Sequence, residues 1–136
     1  MAKIDGMQNT DDLIKEIAHL HGMGVTALFG FTSGQDDKNS TMVIAQAYQG
    51  GLGLPDRDYY TKDDDASKKI RDEYLAHVTN VFTLLGDSAD DAAKHAKTVM
   101  DVETSLPKPA RTRVELRDRQ KNYNNMTKTD HKKRKA

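Results

Sequence analysis

Cysteine is absent from the chain, which removes disulfides and thiolate metal sites from the available chemistry. The residues Met1-Ala2-Lys3-Ile4-Asp5-Gly6 contain no apolar run, so neither a signal peptide nor a membrane anchor is expected in the sequence as written. Hydrophobic residues make up 36% against 31% charged, with a mean hydropathy of −0.80. The 136 residues therefore have room for one domain with a thin core and marginal stability. Hydrolytic motifs are missing too. The histidines are followed by Leu20, Gly22, Val78, Ala96 and Lys132, so none opens a His-Glu-x-x-His. No Gly-x-Ser-x-Gly elbow replaces it. Carboxylates are plentiful, but they fall where helix caps and turns already account for them.

Net charge is zero, yet it is unevenly spread. Residues 1–107 carry 10 Lys and Arg against 18 Asp and Glu, whereas residues 108–136 carry 11 against 3. A basic end of this kind lies across an acidic body, extends into solvent or binds nucleic acid. Its single aromatic, Tyr123, is poor equipment for stacking on bases. No nucleic-acid partner is expected.

What the chain does have is concentrated in Gln49-Gly50-Gly51-Leu52-Gly53-Leu54-Pro55-Asp56-Arg57-Asp58-Tyr59-Tyr60. Three glycines in four positions mark a backbone that turns sharply or lies close against something. Pro55 fixes its own φ and pushes Leu54 toward an extended conformation. Read from residue types alone, this is first a structural corner between a strand and a helix. Leu52 and Leu54 pack in it, Arg57 pairs locally, and the tyrosine hydroxyls find partners.

Around this corner the pattern is mainly helical with one antiparallel β-hairpin. Residues 10–22 read as a helix capped by Thr10 or Asp11, with Leu13, Ile14, Ile17, Leu20 and His21 as its stripe. Glu16 and His19 alone make an incomplete metal site, and His19 and His21 point to different faces, so no metal is expected. From Val25 the period changes to two. A second alternating run spans Thr41 to Gln49, and Ser33 to Ser40 reads as the turn between the strands. One face of such a hairpin must lie on other elements. A helix opened by Asp63, Asp64 and Asp65 and closed by Gly86 carries Ile70, Tyr74, Leu75, Val78, Val81, Phe82 and Leu85 as a core stripe. The next, capped by Ser88, presents Ala89, Ala92, Ala93, Ala96, Val99 and Met100 before Pro107 and Pro109 stop it. Glu103 is the anomaly on its apolar line. If buried it needs a partner, and Arg111 or Arg113 is the expected one. A short basic helix is expected around Thr112 to Arg119, and a charged, disordered tail over 128–136.

The string Gly51-Leu52-Gly53-Leu54-Pro55-Asp56-Arg57-Asp58-Tyr59-Tyr60 closely resembles a hallmark of the N-terminal region of the M13 zinc metallopeptidases, the neprilysin and endothelin-converting-enzyme family. Ile17-Ala18-His19-Leu20-His21, Asp36-Asp37-Lys38-Asn39-Ser40 and Tyr123-Asn124-Asn125-Met126-Thr127 fit the same pattern, with Pro107 and Arg119 as local departures. The resemblance covers residues 4 to 128 and implies a helical N-terminal-domain fragment, with residues 1–127 inside that domain. In the family a zinc ion is held by the two histidines of His-Glu-x-x-His and a downstream glutamate, and the motif's own glutamate activates the bound water. None of these residues is found here, so the resemblance implies no catalytic or zinc-binding residue in this chain, with zinc belonging to the full-length enzyme. It implies a role in enclosing the substrate cavity, the missing catalytic part as partner, and peptide substrates through the complete enzyme. A periplasmic or extracellular parent is implied as well. The alternative is a stand-alone helical binding module that joins a separate partner.

Overall fold

The computed structural model describes residues 2–127, 129 and 130, with side chains from Ile4 onward. The expected tail over 128–136 lies outside the described residues, apart from Thr129 and Asp130. A single turn, α1 (Ala2–Asp5), precedes α2 (Thr10–Gly22). The hairpin β1 (Phe29–Asp36) and β2 (Asn39–Gln49) follows, then the short α3 (Asp58–Thr61). The long pair α4 (Asp65–Leu84) and α5 (Ala89–Ser105) comes next, then single turns α6 (Arg113–Leu116) and α7 (Arg119–Asn122). The architecture is mainly α with one antiparallel hairpin, as the periodicities indicate.

Helix starts follow from side chains that satisfy the first free amides, an effect of about 1 kcal/mol each. Asp64 accepts from the Ser67 amide at 2.9 Å to start α4, and Ser88 from the Asp91 amide at 3.2 Å to start α5. For α2 the cap is Asn9, one residue before the expected Thr10, because its backbone is extended and its amide oxygen reaches the Asp12 N–H at 3.0 Å. The basic helix expected over Thr112 to Arg119 is two separate turns. Thr112 and Glu115 form a reciprocal capping box for the first, and Asp118 accepts from the Lys121 amide to start a second. Thr112 donates to the Glu115 carboxylate from both amide and hydroxyl, which holds its pKa below the ordinary glutamate value.

The strands are longer at the tip and shorter at the base than their residue types suggest. Ser33, Gly34 and Gln35, expected in the turn, pair with Ala45, Ile44 and Val43. Only Asp37 and Lys38 turn, held by the Asp36 carboxylate accepting from the Lys38 amide at 2.9 Å. At the base, pairing starts at Phe29 rather than Val25, since Leu28 has φ +64° and breaks the extended run. Alternation then divides the hairpin into two faces. On one, Tyr48 lies over Gly30 and Gln46 over Gly34, each so close that a Cβ on the glycine would collide with it. The other carries Phe29, Phe31, Ser33, Gln35, Val43, Ala45, Ala47 and Gln49, and all eight residues are exposed.

Buried apolar side chains are few among the described residues: Ala92, Ala96 and Pro107 are fully covered, and Tyr60 is 5% exposed. The alanines let α5 approach α4 closely. Of the stripe expected to be core on α4, Ile70, Tyr74, Leu75, Val78 and Phe82 are half-buried. Val81 and Leu85, however, are 40% and 56% exposed. Leu13 and Ile14 of α2 are exposed as well, and α2 has no buried residue. The amphipathic pattern is present in each case, but much of it has no partner among the described residues.

Candidate functional site

The glycine-rich corner and α5 meet at Glu103. Tyr60, placed by α3, donates its hydroxyl to Glu103 Oε2 at 2.6 Å, and Tyr74 from α4 donates to Oε1 at 3.1 Å. The Gly53 amide donates to the same carboxylate at 3.2 Å, while the Leu54 amide donates to the Tyr60 hydroxyl oxygen at 2.9 Å. The glycine loop, α3 and α4 thus converge on one side chain of α5. Gly53 is required for this approach: a Cβ there would stand 1.9 Å from the Tyr74 hydroxyl oxygen. Burial, reinforced by the hydrogen bond to Glu103, pushes the Tyr60 pKa far above that of free tyrosine. Tyr74 is pushed up to about 12, first by burial and then by the Glu103 charge. Both hydroxyls therefore remain protonated donors at neutral pH.

Of the residues singled out in the sequence, Gly51, Leu52, Gly53, Leu54, Pro55, Asp56, Arg57, Asp58, Tyr59 and Tyr60 form the corner, whereas the expected pairing of Glu103 with Arg111 or Arg113 is not what the structure brings together. Arg111 donates to the Lys121 carbonyl at 2.8 Å and to Asn122 Oδ1. Its backbone exchanges two hydrogen bonds with the Gln49 side chain, each 2.9 Å long. Arg113 reaches Asp56 at 3.5 Å. Arg57 does not pair with its flanking aspartates either. It donates to the Ala110 carbonyl at 2.8 Å, while Asp56 accepts from the Asp58 amide and Asp58 pairs with Lys62 at 3.0 Å. The arginines thus clamp the segment after Pro109 to the corner, leaving the carboxylate to the tyrosines. The signal available in sequence was that Tyr74 and Glu103 are the polar members of two facing apolar stripes.

Between the base of the hairpin, the glycine loop and residues 109–116 lies an open cleft of about 830 Å3, with Glu103, Arg57 and Arg113 among the residues that line it. The hairpin tip is fastened separately: the Tyr123 hydroxyl donates to the buried Asp36 at 3.1 Å, and Lys38 sits 4.3 Å from the Tyr123 ring centre. Among the described residues no three His, Asp or Glu side chains are grouped to hold a metal ion. The donor set does not fit a zinc site. His21 instead lies 3.1 Å from the Ala27 carbonyl and packs edge-on to Phe29, and His95 meets Asp87 at 2.7 Å. No described helix is long and apolar enough to cross a membrane.

This corner, with its two tyrosines on one glutamate, sits in a chain whose relatives are peptidases. Neprilysin-3 of Drosophila melanogaster is 40% identical over 92 residues, 68% of this chain and 11% of that protein. An endothelin-converting enzyme homolog of Locusta migratoria is 36% identical over 116 residues, 83% of this chain and 15% of that protein. The zinc metalloprotease ZMP1 of Mycobacterium tuberculosis, in its open state, superposes with a TM-score of 0.86 at 30% identity over 95% of this chain and 20% of that one. In its inhibitor complex the TM-score is 0.83 over 90% of this chain. The chain thus spans a fifth or less of these relatives. The profile of peptidase family M13 matches residues 1–136. Sequence and fold agree: the chain belongs to peptidase family M13, as part of its N-terminal region.

Proposed function

We propose that this chain serves an M13 zinc metalloendopeptidase as part of the helical region that walls the substrate cavity, over residues 1–127, without contributing a catalytic group. The observation that carries this reading is the Glu103 knot. It fixes the corner, α3, α4 and α5 into one rigid wall beside an open cleft, while no metal-binding donor set stands among the described residues. Zinc and peptide hydrolysis belong to the complete enzyme, and the catalytic part is the partner. A wall of this kind selects peptides by shape and excludes larger substrates. A periplasmic or extracellular complete enzyme is part of the same proposal. The test is peptide hydrolysis by the purified chain, by a separately produced M13 catalytic part, and by their mixture, each with and without a chelator. The expected result is chelator-sensitive activity that requires the catalytic part. Chelator-sensitive hydrolysis by this chain alone would overturn the proposal.

The second reading, a stand-alone binding module, draws on the many exposed apolar residues. It differs in its partner: a module binds a protein without a zinc motif and leaves the catalytic part's activity unchanged.

A further inference from the structure

The hairpin has one face with its own cover and one without. On the covered face Tyr48 and Gln46 fold back over Gly30 and Gly34. On the other, all eight residues are exposed, with Val43 at 74% and Phe31 at 53%. None of the eight carries a charge. A sheet face that works in water alternates polar outward residues against an apolar inner side. Here the outward side has two phenylalanines, a valine and two alanines. Ala47 stands directly opposite Phe31, and Ala45 opposite Ser33, which leaves a smooth shallow surface beside the rings. Among the described residues it is met at its base alone, by His21 of α2 against Phe29 and Phe31 and by the Arg111 backbone on the Gln49 side chain, while Ser33, Gln35, Val43 and Ala45 toward the tip stay exposed. Such a face is suited to obligate burial, which favours apolar, charge-poor contact.

We infer that this uncharged face is the surface on which the remainder of the M13 polypeptide packs. The inference rests on the reading that the chain serves a larger M13 enzyme, and it names where that enzyme joins. The occupant is set by two facts. First, the chain superposes on ZMP1 over 95% of its own length but only 20% of that protein, so in the relative this fold belongs to a chain with about four times as much further polypeptide. Second, a lone two-stranded hairpin is marginal in water, which fits a hairpin whose exposed face is held by further polypeptide. A charged or nucleic-acid partner would find no complementary group on this face.

Because the chain has no cysteine, a single introduced thiol is the one maleimide site on this chain, and its labelling is read on this chain's own mass. The experiment labels Ala45→Cys and Val43→Cys with a soluble maleimide, alone and with the ZMP1 polypeptide deprived of the stretch this chain matches. Asp72→Cys on the exposed side of α4 serves as control. Free, all three label rapidly. In the mixture the two hairpin thiols are expected to slow by about tenfold or more while the control is unchanged. If size-exclusion shows a complex and the hairpin thiols still label fast, the inference falls and the enzyme reading stands. If no complex forms and the thiols stay reactive, both fall. Protection that rises with this chain's own concentration would assign the face to a second copy and overturn the inference. Should one variant misfold, the other, two residues away on the same face, gives the answer.

Discussion

The Glu103 knot and the outer face of the hairpin are built on opposite principles. The knot is polar, partly buried and internally complete: two hydroxyls and an amide converge on one carboxylate from three segments. The hairpin face is apolar, exposed and incomplete. The first is stable because each donor has found its acceptor, so removing one member leaves the others unsatisfied in a poorly solvated place. The second has nothing to lose in the isolated chain, since water already covers it. Substitutions in the two regions are therefore expected to separate cleanly: large effects on folding at the knot and corner, small ones on the hairpin face until the rest of the enzyme is present.

The largest effect is expected at Gly51. Its φ is +79°, and a Cβ there would lie 2.6 Å from the Leu28 Cα and carbonyl oxygen, atoms of backbone that cannot swing aside. Gly51→Ala should cost about 3 kcal/mol or more, combining left-handed strain with overpacking. For a thin-cored domain that is a large part of its stability, and thermal melting by circular dichroism should show a collapsed midpoint or none. Gly30→Ala is the counterpart inside the hairpin. Its Cβ would meet the Tyr48 ring at 1.9 Å, but Tyr48 is 55% exposed and can rotate out. About 1 kcal/mol is expected there, and an equal loss at the two glycines would contradict the distinction between backbone and side-chain contacts.

At the knot, Glu103→Leu strands the hydroxyl of Tyr60, a residue only 5% exposed, and of Tyr74, together with the Gly53 amide. A loss of about 2 kcal/mol is expected, with Tyr60→Phe in the Glu103→Leu background recovering part of it. The same contacts fix a pH dependence. Both tyrosines have folded-state pKa values raised above the unfolded value near 10, Tyr74 to about 12. Folding therefore favours the protonated phenols. Their contribution is fully present below pH 10 and is lost as pH rises through the folded values. Denaturant midpoints measured from pH 8 upward should fall above pH 10, and Tyr60→Phe with Tyr74→Phe should flatten that fall. A midpoint that stays level to pH 12 would remove the tyrosines from the account.

The contrast also explains what could be read in the sequence. Helices with caps and long stripes were legible because each signal is local: Asp64 and Ser88 cap helices whose starts are encoded within a few residues. The corner was legible because Gly51-Leu52-Gly53-Leu54-Pro55 demands a special backbone. The partner of Glu103 was not. Charge alone favours Arg111 or Arg113, but Arg111 is taken by the Lys121 carbonyl and Arg113 by Asp56, partners that become available only when residues 109–122 fold back on themselves and on the corner. Tyr60 and Tyr74 lie 43 and 29 residues from Glu103, a separation that periodicity within one helix does not report. The break of the basic segment into α6 and α7 turned on Asp118, a cap that competes with continuing the helix.

The smallest effect is the most discriminating. Val43→Lys changes a side chain already 74% exposed on a face with no charge. In the isolated chain the lysine remains in water, so the melting midpoint should move by no more than about 0.5 kcal/mol equivalent. Against the catalytic part, an ammonium would have to be desolvated at the centre of an apolar contact, so association should weaken by about 2 kcal/mol or more, some thirtyfold in Kd. Lys69→Glu, on an exposed turn of α4, should be silent in both measurements. If Val43→Lys destabilised the free chain as much as Glu103→Leu, the hairpin face would already have a cover within the chain. The division between a completed knot and an open interface would then be wrong.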